Sequence, residues 1–170
     1  TGVQTCALPI CDLVTMPRLG SPTVSPDGTI AVYSVTTTDP EEFARDSQLY
    51  MRSLDNLNAT PVALDLKGSG ASFGGDGWLY YMANGAENDS TQVWRAMVSA
   101  TGTVTQKTQV TSIARGVNGY SVAKDGSKIA IWTDIARSCT DIACDDSAKS
   151  YAPGPGDGRL YEGDGGFYRH

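Results

Sequence analysis

The chain has 170 residues, of which 40 % are hydrophobic, 19 % are charged and 19 are glycine, with a formal net charge of −6. This composition suits one folded globular domain and excludes a disordered or fibrous chain. The basic residues are scattered singly, which argues against a nucleic-acid surface, and no run approaches the roughly 18 apolar residues of a membrane span.

Residues 1–10, TGVQTCALPI, read as a translated sequencing adapter joined to a reading frame entered midway, with Cys11 straddling the junction. The competing reading is the tail of a secretion signal. A lipoprotein-type processing site needs a small residue just before Cys11, where Ile10 stands. Residues 1–11 are therefore set apart as a non-native leader, and the folded unit is expected over 12–170.

The stretch SPDGTIAVYSV, residues 25–35, is an Asp-Gly turn followed by an alternating apolar strand. Glycine accepts the positive φ that hairpin turns need, and aspartate tolerates it. DPEEFARDS has helical character, but Pro40 and its acidic neighbours limit it to one exposed turn. Two further strands follow, SQLYMRSL and TPVALDL. The pattern then restarts. GGDGWLYYM places a strand over Trp78–Met82, TQVWRAMV echoes the earlier strand with an arginine at Arg95 as at Arg52, and TVTQKTQVT comes next. A third start, AKDGSKIAIW, carries the strand Ile129–Trp132.

Asp27-Gly28, Asp76-Gly77 and Asp125-Gly126 recur at intervals of 49 residues. About four short strands per unit at this period is the signature of a β-propeller, with one blade per unit. The expected fold is therefore all-β, a partial propeller of about three four-stranded blades near residues 20–66, 67–116 and 117–170. Propellers close with roughly 4 to 8 blades, so three make an incomplete ring, and the chain is expected to be a piece of a longer protein.

GASFGG, residues 70–75, satisfies the G-x-S-x-G pattern of a serine nucleophile at Ser72. That motif needs a strand, a strained turn and then a helix. Here Gly74, Gly75 and Gly77 precede another strand, and Ser72 occupies the repeat position of Thr23 and Ser121. The only histidine is His170. No catalytic residue is assigned. Cys139 and Cys144, in SCTDIACDD, have neither the partners of a zinc site nor the spacing of a redox pair. A local disulfide worth about 2 kcal/mol is expected, the alternative being two free thiols. Asp141, Asp145 and Asp146 lack the calcium-loop pattern and read as a solvated loop. No metal or cofactor is expected. YAPGPGDGRLYEGDGGF reads as a Gly/Pro-rich loop leading to a strand around Arg159-Leu160-Tyr161. Trp78, Trp94 and Trp132 are read as blade packing.

Taken in order, SPTVSPDGTIAVYSV, the Q-V-W-R strand, the T-Q-V-T that follows it, the cysteine pair and the closing GRLYEGDGGFYRH resemble the N-terminal propeller of prolyl-oligopeptidase-family serine peptidases. They are most similar to acylaminoacyl-peptidase and dipeptidyl-aminopeptidase-like members. The resemblance covers residues 12–170, although a Trp-Asp-x-Trp strand common after Arg-His in such members is absent. It implies a propeller that gates short peptides to a separate α/β-hydrolase domain bearing a Ser, Asp and His triad beyond residue 170. With the disulfide it implies a periplasmic or secreted protein. The S-P-D-G turn also occurs in periplasmic binding propellers resembling the translocation protein TolB, the alternative reading.

Overall fold

The computed structural model describes residues 13–87, 89–135 and 141–142. Eleven strands occur among them, together with one helical turn at 13–15. The first sheet comprises β1 (Arg18–Leu19), β2 (Thr23–Val24), β3 (Ile30–Thr38), β4 (Arg45–Ser53) and β5 (Val62–Lys67). Both β1 and β2 pair with β3, so they form two halves of one strand interrupted at 20–22. At the interruption the Gly20 amide bonds the Ser34 carbonyl at 2.8 Å. A Cβ on Gly20 would sit 2.1 Å from Ser34 Oγ, so a larger residue there would make the buried Ser34 hydroxyl turn away. The second sheet runs β6 (Ser69–Phe73), β7 (Leu79–Asn84), β8 (Thr91–Val98), β9 (Val104–Gln109). In the third, β10 (Gly119–Val122) pairs with β11 (Ile129–Trp132). All pairings are antiparallel, and residues 40–42 form a turn between β3 and β4.

Each sheet contains one hairpin closed by an Asp-Gly turn. The glycine amide bonds the carbonyl three residues back: Gly28 to Ser25 at 2.9 Å, Gly77 to Gly74 at 3.0 Å and Gly126 to Ala123 at 2.8 Å. Only the glycines take positive φ, at 76°, 81° and 74°. The aspartates do not share that conformation and act through their carboxylates instead. Asp27 Oδ1 accepts from the Ser25 hydroxyl and from the Thr29 amide and hydroxyl at 2.5, 3.1 and 3.0 Å. These bonds, the Ser25 hydroxyl first, hold its pKa below the usual carboxylate value. Asp125 is likewise lowered by the hydroxyl and then the amide of Ser127, at 2.8 and 3.1 Å.

The middle turn is shorter by one residue. Ser25 N reaches the Ile30 carbonyl and Ala123 N that of Lys128, whereas Gly74 N closes on Trp78. Trp78 therefore lies in the turn, and β7 begins at Leu79. A one-residue change in register moves every side chain to the other face. In the first sheet Ile30, Val32, Leu49 and Met51 pack in one core with Leu79, Tyr81 and Ala96 of the second. Tyr80 and Val93 project from the opposite face of the second sheet and pack with Ile129, Ile131 and Tyr120 of the third. Val32 pairs with Met51 and Tyr80 with Arg95. By face, then, Gln48-Leu49-Tyr50 corresponds to Gln92-Val93-Trp94. Arg95 takes the place of Met51, not of Arg52, and the two arginines are not equivalent.

The second sheet is thus sandwiched between the other two. Hydrogen bonds join the innermost strands: Phe73 N donates to Thr23 Oγ1 at 3.1 Å, and Tyr120 OH donates to the Gly70 carbonyl at 2.6 Å. Each joins residues 50 apart in sequence. The second and third Asp-Gly turns also touch. A Cβ on Gly126 would meet the Asp76 carboxyl carbon at 2.4 Å, whereas one on Gly28 would meet nothing within 4 Å. Gly28→Ala should cost about 1 kcal/mol, from left-handed backbone strain alone. Gly126→Ala should cost distinctly more, read as a larger drop in the urea midpoint. Equal losses would show that the two turns do not pack together.

Candidate functional site

Ser72 lies inside β6, opposite Tyr80 of β7. The chain turns through Gly74–Gly77 directly into β7 and forms no helix after the serine. The strained elbow that exposes a nucleophile is therefore missing from this G-x-S-x-G. His170, Cys139, Cys144, Asp145, Asp146 and the expected strand around Arg159-Leu160-Tyr161 lie outside the described residues. Among the described residues no cluster of three or more His, Cys, Asp or Glu side chains could hold a metal. No helix among them is long and apolar enough to cross a membrane.

Two crevices open between the first and second sheets. One, about 370 Å³, lies at the Asp-Gly end and is lined by Asp27, Ile30, Phe73, Asp76 and Met97. The other, about 430 Å³, is lined by Arg45, Asp46, Lys67, Met82, Asn84 and Lys107. Three cations from three strands converge there, a grouping invisible in the sequence because they are far apart along the chain. Lys67 is spent on Asp46 at 2.9 Å, an exposed pair that contributes little. The Lys107 ammonium lies 5.2 Å from the Trp94 ring centroid. Such groups can bind a polar or anionic ligand, but they contain no nucleophile with an adjacent base.

The most ordered polar chemistry is structural. Gln92, 1 % exposed, accepts from the Thr111 hydroxyl at 2.8 Å and the Ile113 amide at 3.0 Å. It donates to the Ile113 carbonyl at 2.7 Å and to Ser90 Oγ at 2.9 Å. Thr111 Oγ1 in turn accepts from the Val93 amide at 2.9 Å. One side chain therefore satisfies the backbone where the chain leaves the outer strand. Gln48, at the equivalent place in β4, instead donates to the carbonyls of Leu64 and Leu66 within β5, where the β4–β5 register shifts. Between the second and third sheets, Tyr80 OH donates to Asp76 Oδ2 at 3.0 Å, and the Arg95 guanidinium covers the Trp78 ring at 4.4 Å.

Burial, and then the charge of Asp65, pushes the Tyr81 phenol up to about 12. Tyr80 is raised by burial and its bond to Asp76, and Tyr120 by burial and then by Tyr80. A phenol with a raised folded pKa keeps its proton when the unfolded chain has lost it. Stability should therefore hold below pH about 10 and fall as pH rises from there toward 12. Urea midpoints measured across that window should decline, and less steeply in Tyr81→Phe; a flat profile would contradict these environments.

The fold and these sites define an all-β chain whose stacked sheets resemble propeller-type blades; among the described residues they do not close into a ring. No protein-family model matches the sequence, and no curated protein matches it. Solved structures do. The β-propeller domain of the Trilobed protease from Pyrococcus furiosus, whose propeller has an open velcro topology, is 14 % identical with a TM-score of 0.49. That match covers 68 % of this chain and 33 % of that domain. The acylaminoacyl peptidase of Pyrococcus horikoshii is 13 % identical with a TM-score of 0.51, over 70 % of this chain and 17 % of the peptidase. The chain thus spans a third or less of either. At this identity the likeness is one of fold.

Proposed function

We propose that this chain is a propeller segment that gates short peptides to the active site of a secreted or periplasmic serine peptidase. The nucleophile, base and orienting acid would stand on an α/β-hydrolase domain outside these 170 residues. The observation that carries this reading is the stack of repeat-related sheets, with innermost strands joined by Phe73–Thr23 and Tyr120–Gly70 hydrogen bonds. The ordered motifs that resemble prolyl-oligopeptidase-family propellers, and the fold likeness to an acylaminoacyl peptidase, support it. A Cys139–Cys144 disulfide belongs to the same reading, because it would form in an oxidising compartment.

Two experiments test it. The purified chain should not hydrolyse acyl-peptide or dipeptidyl substrates, and Ser72→Ala should leave that background unchanged. Hydrolysis lost in the Ser72→Ala variant would overturn the assignment. Reading the coding DNA on both sides should reveal more Asp-Gly repeats and then a hydrolase domain, with G-x-S-x-G-G opening a helix before an Asp and a His. Repeats with no hydrolase domain would instead favour a TolB-like binding propeller.

A further inference from the structure

The crevice that holds Arg45, Lys67 and Lys107 carries a charge opposite to that of the chain around it. Its two walls are strands of adjoining sheets: β4 and β5 on one side, β6, β7, β8 and β9 on the other. Three of the charged side chains lining it are cations and one, Asp46, is an anion, in a chain of formal net charge −6. Asp46 answers Lys67 alone, at 2.9 Å, and Arg45 and Lys107 have no ion-pair partner among the described residues. The positive charge is not inherited from the repeat. Three residues before Gln48 stands Arg45, whereas three before its counterpart Gln92 stands Asp89. The Lys107 ammonium is steadied by the Trp94 ring, whose centroid is 5.2 Å away. The lining also includes Ser47, Asn84 and Thr91, which can pair with peptide amides, and Met82, which can pack on an aliphatic stem.

We propose that this crevice binds the carboxylates of a short acidic peptide. Its volume of about 430 Å³ falls in the lower part of the range of small-ligand pockets, which limits the ligand to a few residues. The Arg45 guanidinium offers a planar fork that matches one carboxylate, and the Lys107 ammonium is a point charge for another. Lys67 becomes a third donor when a ligand carboxylate displaces Asp46. Exposed cations bind weakly, because water competes with the ligand and salt screens the attraction. Affinity should therefore be modest and fall with ionic strength. The binding rests on the crevice alone. That the bound peptide is a substrate on its way to a hydrolase domain rests on the peptidase reading. Coding DNA that lacks a hydrolase domain would sink that reading and leave the binding intact.

Titrating the isotope-labelled chain with glutamyl-glutamate at low salt should shift the backbone amides of Ser47, Gly68, Asn84 and Thr91 in nuclear magnetic resonance spectra. Those of Gly28 and Gly77, at the Asp-Gly end, should stay fixed. Glutaminyl-glutamine amide, which has no carboxylate, should produce no such shifts. Arg45→Gln and Lys107→Gln, both at exposed positions, should each weaken binding about fivefold in an otherwise unchanged spectrum. Asp46→Asn removes the competing carboxylate and should tighten binding, a gain that misfolding cannot produce. Crevice amides that do not move with glutamyl-glutamate would overturn the proposal. So would equal affinity in a variant carrying both Arg45→Gln and Lys107→Gln, or weaker binding in Asp46→Asn. Inorganic phosphate that bound as tightly as the peptide would also overturn it, leaving a general anion site.

Discussion

Replacing Tyr81 with alanine should cost about 4 kcal/mol, whereas Tyr81→Phe should leave the chain as stable as before or more so. Tyr81 is fully buried at the contact between the first and second sheets, in one cluster with Val32, Leu49 and Met51. Truncation to alanine removes most of a large side chain from a close-packed interface, and strands on both sides resist collapse into the void. The hydroxyl is a different matter. It is buried and has no hydrogen-bond partner among the described residues. Deleting it removes an unsatisfied polar group, so Tyr81→Phe should gain about 1 kcal/mol. Urea titrations with unchanged slope measure both differences. If Tyr81→Phe instead lost stability comparable to the alanine variant, the phenol would have a partner and the packing of the two sheets would be misassigned.

The second large effect concerns Gln92. Gln92→Leu keeps approximate volume but takes the acceptor from both the Thr111 hydroxyl and the Ile113 amide, while the Ile113 carbonyl keeps its bond from the Gly116 amide at 2.9 Å. Each buried group left without a partner costs about 1–3 kcal/mol, partly offset by the apolar replacement. A loss of about 3 kcal/mol is expected. Gln48→Leu should cost about 1 kcal/mol, because Gln48 is only half-buried and water can replace its bonds more readily than those of Gln92. Equal losses would show that the two glutamines occupy equally buried places.

Much of the strand layout was legible from alternation alone. TQVWRAMV is β8 over its whole length, and Ile129–Trp132 is β11. The Asp-Gly turns were legible as turns because only glycine takes φ near 80° without strain. Their lengths were not, because between Gly74 and Trp78 every position is glycine or aspartate, and nothing in the pattern shows that Trp78 belongs to the turn. The shorter middle turn then shifts the register by one, so Leu79 faces backward although its counterpart 49 residues earlier, Ile30, faces forward. Arg52 and Arg95 look equivalent in sequence yet lie on opposite kinds of face, because Arg52 is four residues beyond Gln48 and Arg95 three beyond Gln92. The Arg45, Lys67 and Lys107 crevice was beyond reach, since it depends on how two sheets stack. Ser72 shows the converse. The glycines after it already argued against a helix, and its place inside β6 gives the physical reason why the motif has no elbow.

The stacking of repeat units is the claim on which the propeller reading depends. Nuclear Overhauser spectroscopy of the isotope-labelled chain tests it at two places chosen because they lie 50 residues apart in sequence. The Phe73 amide should show a cross-peak to the Thr23 side chain, and the Tyr120 ring should show one to the Gly70 α-protons. Both peaks together place the three innermost strands side by side in chain order. Their absence in a folded chain, or cross-peaks from Phe73 to β10 in place of β2, would contradict the stacked-blade account.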